Sequence, residues 1–435
     1  MALIEWHNLI ETTYNETMIS PSPPNNPPPV LELEEQYVIP LYMICGLSLI
    51  FLGWSVVKRH KKANLSLILR LQKDIDLFID ICTTVLIYGT MLISKLYCYR
   101  YYSDANYIVD TKVTNLYAKL DDENILEVFA TITNVCYLIG SYIFAIIIWF
   151  FPGKVVVPHT IVTGVLFVSV ASTSWAHHAS GSLIGSWGHQ VDRAAMFVYQ
   201  SWSAIFAITG FLITILNKYA QLQKIVLIIS FLTGCVVMFA MFTHQQRYAS
   251  EDILFKSGFV MYAFMTVSIF IRYMQINNGS FRKVATNVVG TLLCLLDPLL
   301  TFGLGLLYNL NAESYQSSVK RQAPNRYSSM IDLLYNVNLN HQYDILHGLW
   351  HFLVAHALIK SSYYINSTYF SFGKSLQLTR LRIVTFITRL SIVLTLFLLS
   401  FNKYTLRHWL NIIGIIGGVG FSTHVCILAL YVMEF

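Results

Sequence analysis

Apolar stretches long enough to cross a bilayer recur along most of this chain. A transmembrane helix needs about 20 predominantly apolar residues. Stretches near that length fall at roughly 37–57, 76–94, 127–151, 155–176, 191–216, 224–243, 253–273, 284–310, 342–360, 383–401 and 409–432. In lipid every backbone N–H and C=O must be satisfied within its own segment or a closed barrel. The pattern therefore predicts an all-α polytopic membrane protein with about eleven transmembrane helices. The stretch at 76–94 is the weakest, because Asp76 and Asp80 fall in its first turns. Residues 1–36 read differently. They are acidic and carry Pro21, Pro23, Pro24, Pro27, Pro28 and Pro29, which predicts a mobile tail without a core and a first span that acts as the targeting signal. The expected organisation is a tail over 1–36, two helices within 37–126, seven within 127–362 and two within 363–435.

Polar residues that interrupt apolar stretches are the informative ones. His347-Gly-Leu-Trp350-His351 lies in such a stretch, preceded by Asp344. Positions 347 and 351 are one helical turn apart, so both imidazoles leave one face. Ser174 and His178 have the same spacing at the end of the stretch at 155–176, and Asp192 opens the next. Neutral imidazole is a common metal ligand, and ionisable groups inside a membrane point to function. Catalytic zinc sites hold three protein ligands and leave a position open. His178, His347 and His351 supply three nitrogens. Asp192 suits the role of proton acceptor. Ser174 suits an oxyanion donor or a partner behind a ligand. Asp344 suits the orientation of a ligand imidazole. His177, about 100° around the helix from His178, is the alternative to it as ligand. His159, His356 and His424 read as hydrogen-bonded packing residues.

Composition agrees with the pattern. Hydrophobic residues make up 55% of the 435 and charged residues 12%, about half the charge share of a soluble domain. The net charge of +6 does not point to nucleic acid, since no long basic run occurs. Lys58-Arg59-His60-Lys61-Lys62 follows a span directly and reads as a cytoplasmic stop signal. Seven cysteines without a CxxC pair argue against a disulfide framework and a thiolate metal site.

The order and spacing of these residues resemble the CREST superfamily of seven-helix membrane hydrolases. That group contains alkaline ceramidases, adiponectin-type receptors, GPI-anchor lipid remodelling proteins and RNA-interference transport proteins. Its pattern is Ser-x-x-x-His ending the second core helix, Asp opening the third and His-x-x-x-His in the seventh. Here these read Ser174-Trp-Ala-His-His178, Asp192 and His347-Gly-Leu-Trp-His351. Asp192 to Met196 is similar to the Asp-x-x-x-Met of the ceramidases. Asp344 to His351 is similar to a motif of the remodelling and RNA-transport branches, with one residue more between Asp and His. The resemblance implies a seven-helix core, Zn²⁺ on His178, His347 and His351, and a membrane lipid as substrate. The implied activity is hydrolysis of a lipid amide or ester by metal-activated water, ceramidase-like or phospholipase-like. Two other readings stay open at this point. One is a receptor or transport protein that keeps the zinc structurally. The other is a bis-histidine haem protein with His159, His177 or His351 as axial ligands.

Orientation follows from basic residues in the connections. With the N-terminus outside, 16 of the 29 Lys and Arg fall on the cytoplasmic side and 12 outside, with Arg389 inside a span. This predicts an N-terminus in the lumen or outside the cell, a C-terminus in the cytoplasm, and an endomembrane or plasma-membrane location. His178, Asp192 and His347 then share the outer face. Asn15, in Asn15-Glu-Thr17, is expected to carry a glycan, whereas Asn366 is not. A glycosidase-sensitive gel shift abolished by Asn15→Gln is the expected result, and protection of residues 1–36 in the cytosol would overturn the orientation.

Overall fold

The computed structural model describes residues 75–111, 127–151, 153, 155–179, 187–216, 218–243, 251–276, 281–322, 330–367, 379–401 and 406–434. Among these the chain is all-α. In chain order the segments are α1 (Ile75–Thr111), α2 (Val128–Thr133), α3 (Val135–Phe150), α4 (Val157–Ala179), α5 (Trp187–Ile215) and α6 (Ala220–Thr243). Then follow α7 (Glu251–Ile276), α8 (Phe281–Gln322), α9 (Met330–Ser367), α10 (Arg380–Leu399) and α11 (Leu406–Glu434). α2 and α3 form one rod interrupted at Asn134, a single residue in the αR region.

Seven helices among the described residues are long and apolar enough to cross a bilayer, in place of the eleven expected. The stretch at 37–57 lies outside the described residues. α7 holds a shorter apolar run, Lys256–Ile271. In α9 the histidines, Asp344 and Lys360 dilute the apolar character. α8 covers the stretch at 284–310, but some of its side chains lie outside the described residues. The weak stretch at 76–94 is among the seven, as Ile75–Cys98.

The bundle is organised around α9. It packs against α1, α2, α3, α4, α5, α7, α8 and α11. The rods from α2 to α9 form a closed set: α3 packs on α4, α4 on α5, α5 on α6 and α7, α7 on α8, α8 on α9, and α9 back on α2 and α3. α6 lies outermost, with apolar side chains such as Ile228, Leu232, Val236 and Phe239 exposed. α1 and α11 pack closely together beside this set, and α10 bridges α8 and α11. Small residues permit the α1–α11 approach, as is usual between membrane helices. A Cβ on Gly420 would meet the Tyr88 ring at 2.8 Å.

Charges tie the added helices to the rest. Asp80 of α1, Asp297 of α8, His356 and Lys360 of α9 and Arg389 of α10 form one buried network. Lys360 Nζ lies 2.6 Å from Asp80 and also pairs with Asp297. Arg389 pairs with Asp80 and lies 3.1 Å from Asp297. His356 Nε2 is 3.2 Å from Asp297. Two carboxylates thus face two cations, which is how ionic groups persist away from water. The network bears on the sequence readings. Asp297 sits inside a continuous α8 before Pro298, and its carboxylate goes to the cations. His356, read as a hydrogen-bonded packing residue, is buried and bonds Asp297 as a member of the network. Lys360 and Arg382, counted as loop charges, are buried in ion pairs, Arg382 with Asp76 at 3.7 Å. That narrows the charge bias used for orientation.

Breaking a buried pair by removing one partner costs about 3–5 kcal/mol, because the other charge is left uncompensated. Lys360→Met should destabilise the detergent-solubilised protein by roughly that amount, read as a lower unfolding midpoint. An unchanged midpoint would mean that the network contributes nothing to holding α1 and α10 in place.

Candidate metal centre

The centre is assembled where α4 ends, α2 begins and the first half of α9 passes between them. His178 of α4 and His347 and His351 of α9 each bring a ring nitrogen within 4.8 Å of the others. Ring centroids are 4.7 Å apart for His178 and His347, 5.1 Å for His178 and His351, and 4.8 Å for His347 and His351. His178 and His351 are buried and His347 is half-buried. His347 stacks on Tyr343, one turn earlier on α9, with centroids 5.3 Å apart.

Two of the three rings are oriented from behind by the short helix α2. His178 Nδ1 hydrogen-bonds the Glu127 carboxylate at 2.5 Å. A carboxylate in that bond accepts, so Nδ1 carries the proton and Nε2 holds the lone pair. His351 Nδ1 lies 3.1 Å from the carbonyl oxygen of Ala130 and 2.9 Å from the Thr133 hydroxyl. Thr133 donates its own proton to Ala130 O at 2.9 Å, so it accepts from His351. Nε2 of His351 is again left for ligation. The break at Asn134 makes this arrangement available. The Asn134 backbone N–H bonds Thr131 O at 3.3 Å, so the Ala130 carbonyl is open to side chains. Asn134 Nδ2, Thr133 Oγ1 and His351 Nδ1 all converge on it.

α2 needs its own anchor, since a helix of 6 residues is marginal alone. Glu127 at its N-cap makes no side-chain cap bond, which leaves its carboxylate for His178. Asp344 of α9 caps the helix instead, accepting from Phe129 N at 3.0 Å and Ala130 N at 2.8 Å. Asp344 was expected to orient an imidazole. Its carboxylate oxygens accept backbone amides, and Glu127 takes the orienting role for His178. Gly348 lets α2 lie close to α9, because a Cβ there would collide with the Phe129 ring.

The remaining expected residues lie as follows. Asp192 is buried in the first turns of α5 and lies close to Ser174 and His178. Asp192 Oδ1 has no hydrogen-bond partner among the described residues. His177 neighbours His178, with centroids 4.9 Å apart, and is outside the group of converging nitrogens. Asn15 is outside the described residues. Asn366 is buried and hydrogen-bonded to Thr160 and Ser362, so it presents no glycan acceptor. His159 stacks on Phe206 at 4.2 Å and is flanked by Trp202 and Phe231. It lies 18 residues before His177 on α4, about 27 Å along the helix at a 1.5 Å rise per residue. His159 cannot share one haem iron with His177 or His351. A small cavity of about 10 Å³, room for one water, is lined by Val170, Met196, Gln200, Phe302, Trp350 and Val354.

Glu127, Thr133 and the Ala130 carbonyl were missed in the sequence. Glu127 was legible in principle. The span count puts the start of 127–151 on the same membrane face as His178, yet an acid at a span end reads as a headgroup-level residue. Thr133 and Ala130 carry no pattern, because their roles arise from the break at Asn134.

Comparison of the chain with protein-family models, with curated proteins and with solved structures finds no match in any of the three. What stands is a polytopic helical membrane protein in which three buried or half-buried histidines can hold a metal ion.

The orienting carboxylate offers a direct test of that site. Loss of such a partner typically lowers metal affinity about 10–100-fold. Glu127→Gln should weaken zinc binding by that factor in a chelator competition, and His347→Ala or His351→Ala should abolish it. His159→Ala should leave it unchanged. Equal zinc content in all of these proteins would refute the site.

Proposed function

We propose that the chain is a zinc-dependent intramembrane hydrolase that cleaves an amide or ester bond of a membrane lipid. The observation that carries this reading is the convergence of three imidazole nitrogens beside a buried carboxylate with an open oxygen. Structural zinc sites are closed by four protein ligands, whereas catalytic ones use three. The donor set fits zinc: three imidazoles, two of them held in the ligating tautomer by Glu127 and by Ala130 and Thr133. Zinc held there would supply hydroxide at neutral pH and a Lewis-acid contact for a carbonyl oxygen.

The rest of the chemistry falls to the chain. Asp192 takes the proton released by the attacking water and delivers it to the leaving amine or alcohol. In this reading Ser174, which lies close to Asp192, gives its hydroxyl proton to the carboxylate and fixes it. The oxyanion role expected for Ser174 then falls to another donor. The resemblance to CREST hydrolases points to the same activity, with ceramides and phospholipids as the substrate classes to try.

Asp192→Asn should keep zinc and fold and lose about 10²–10⁴-fold in turnover, the usual contribution of general acid–base assistance. Fatty acid release from a panel of ceramides and phospholipids measures it. Turnover by Asp192→Asn at the wild-type rate would sink the mechanism. A zinc-loaded wild type that hydrolyses nothing on the panel would favour a receptor or transport protein with structural zinc.

A further inference from the structure

Several buried polar atoms around the histidines have no hydrogen-bond partner among the described residues, among them Asp192 Oδ1, the Tyr137 hydroxyl, Trp175 Nε1 and Asn134 Oδ1. Most buried polar atoms are satisfied, so each orphan calls for a reason. Asp192 Oδ1 is explained by the proposed proton transfer. The phenol is not used by anything described so far. Tyr137 is 1% exposed, and a buried tyrosine ordinarily places its hydroxyl on an acceptor.

Its position is set by the same elements that orient the ligands. Tyr137 lies four residues after Thr133, on the rod formed by α2 and α3. Thr133 holds His351 Nδ1. The Tyr137 ring meets His351 edge-on, with centroids 5.7 Å apart and planes at 64°. Its hydroxyl is within electrostatic reach of Asp192 and Tyr199, both on α5. The phenol thus lies beside one ligand histidine and toward the helix that carries the carboxylate. Tyr199 does not compete for this role, since its hydroxyl bonds Ser362 at 2.5 Å and the Leu358 carbonyl at 3.2 Å.

Hydrolysis of an amide or ester needs a donor for the carbonyl oxygen, which gains negative charge as the nucleophile adds. A carboxylate cannot donate, and in the proposed reading the Ser174 proton is used on Asp192. We propose that Tyr137 is a further catalytic residue, whose hydroxyl donates a hydrogen bond to the carbonyl oxygen of the scissile acyl group. The phenol keeps its proton throughout, and no bond to oxygen forms or breaks at the ring. The inference rests on the hydrolase reading above and adds the oxyanion donor that the serine cannot supply.

Tyr137→Phe removes one hydroxyl and keeps the ring against His351. If the ring only packs, nothing measurable changes. If the hydroxyl serves the oxyanion, kcat falls about 10²–10³-fold with KM unchanged, as for loss of a single oxyanion donor. A second readout does not require turnover: binding of hexadecylphosphonate, whose anionic oxygens resemble the tetrahedral stage, should weaken at least about tenfold in the zinc-loaded variant. Zinc content should match the wild type. Unchanged kcat and unchanged phosphonate affinity, beside an inactive Asp192→Asn, would overturn the role of Tyr137 and leave the hydrolase reading intact. Loss of zinc in Tyr137→Phe would assign the residue to the fold and overturn the proposal. An inactive wild type would remove the hydrolase reading and this inference with it.

Discussion

Two hydrogen bonds from one carboxylate hold the centre together. Asp344 of α9 accepts the Phe129 and Ala130 amides and thereby caps α2, a helix too short to persist unaided. The negative charge also meets the positive end of that helix. Fixed in this way, α2 presents Glu127 to His178 and the Ala130 carbonyl and Thr133 to His351. The residue that anchors α2 and the residues that would ligate the metal therefore belong to the same stretch of α9. Displacing α2 would release two imidazoles together, because each takes its tautomer from this helix. Gly348, between the two α9 histidines, supplies the clearance that the contact needs.

α9 carries a second polar cluster two and a half turns beyond His351, and the two clusters differ in chemical logic. At Lys360 the charges are balanced, with Asp80 and Asp297 facing Lys360 and Arg389. Such a network holds helices in register and leaves nothing open to a ligand. Around His351 the acceptors lie behind the rings and the ring nitrogens converge on one point. One cluster is closed and the other is open. The closed cluster joins α1 and α10 to the rods from α2 to α9, which gives those added helices a defined physical task.

Much of this was legible from residues 347 to 351, 174 to 178 and 192, because helical spacing fixes which side chains share a face. The convergence of His178 with His347 and His351 required only a count of spans. Other features were not legible, for identifiable reasons. Asp344 caps α2 and Glu127 orients His178 because helix capping depends on which N-terminus lies nearby, and no sequence pattern reports that. The break at Asn134 is made by a hydrogen-bond choice inside an apolar rod. Lys360 and Arg382 resembled loop cations because they sit near the ends of apolar stretches, and only their partners Asp80, Asp297 and Asp76 reveal them as buried. The number of spans was overestimated partly for the same reason that the site exists: the polar residues of α9 lower its apolar character.

The disposition of donors carries the proposed reading of this centre as a place for chemistry. A site built to hold a metal structurally gains from a fourth ligand and from saturating every nearby hydrogen bond. Here Glu127, Ala130 and Thr133 saturate the outer nitrogens of His178 and His351. On the inner side the groups are left open instead: Asp192 retains an oxygen and Tyr137 a hydroxyl. An acceptor and a donor on different helices match the two partners that hydrolysis must bring together, a water that loses a proton and a carbonyl oxygen that gains charge. Burying both groups without partners is costly in an apolar bundle, and a centre that only held an ion would be more stable with neither. In the proposed reading, ligand nitrogens held from behind and an open acceptor and donor at Asp192 and Tyr137 are what favour reaction over the mere holding of an ion.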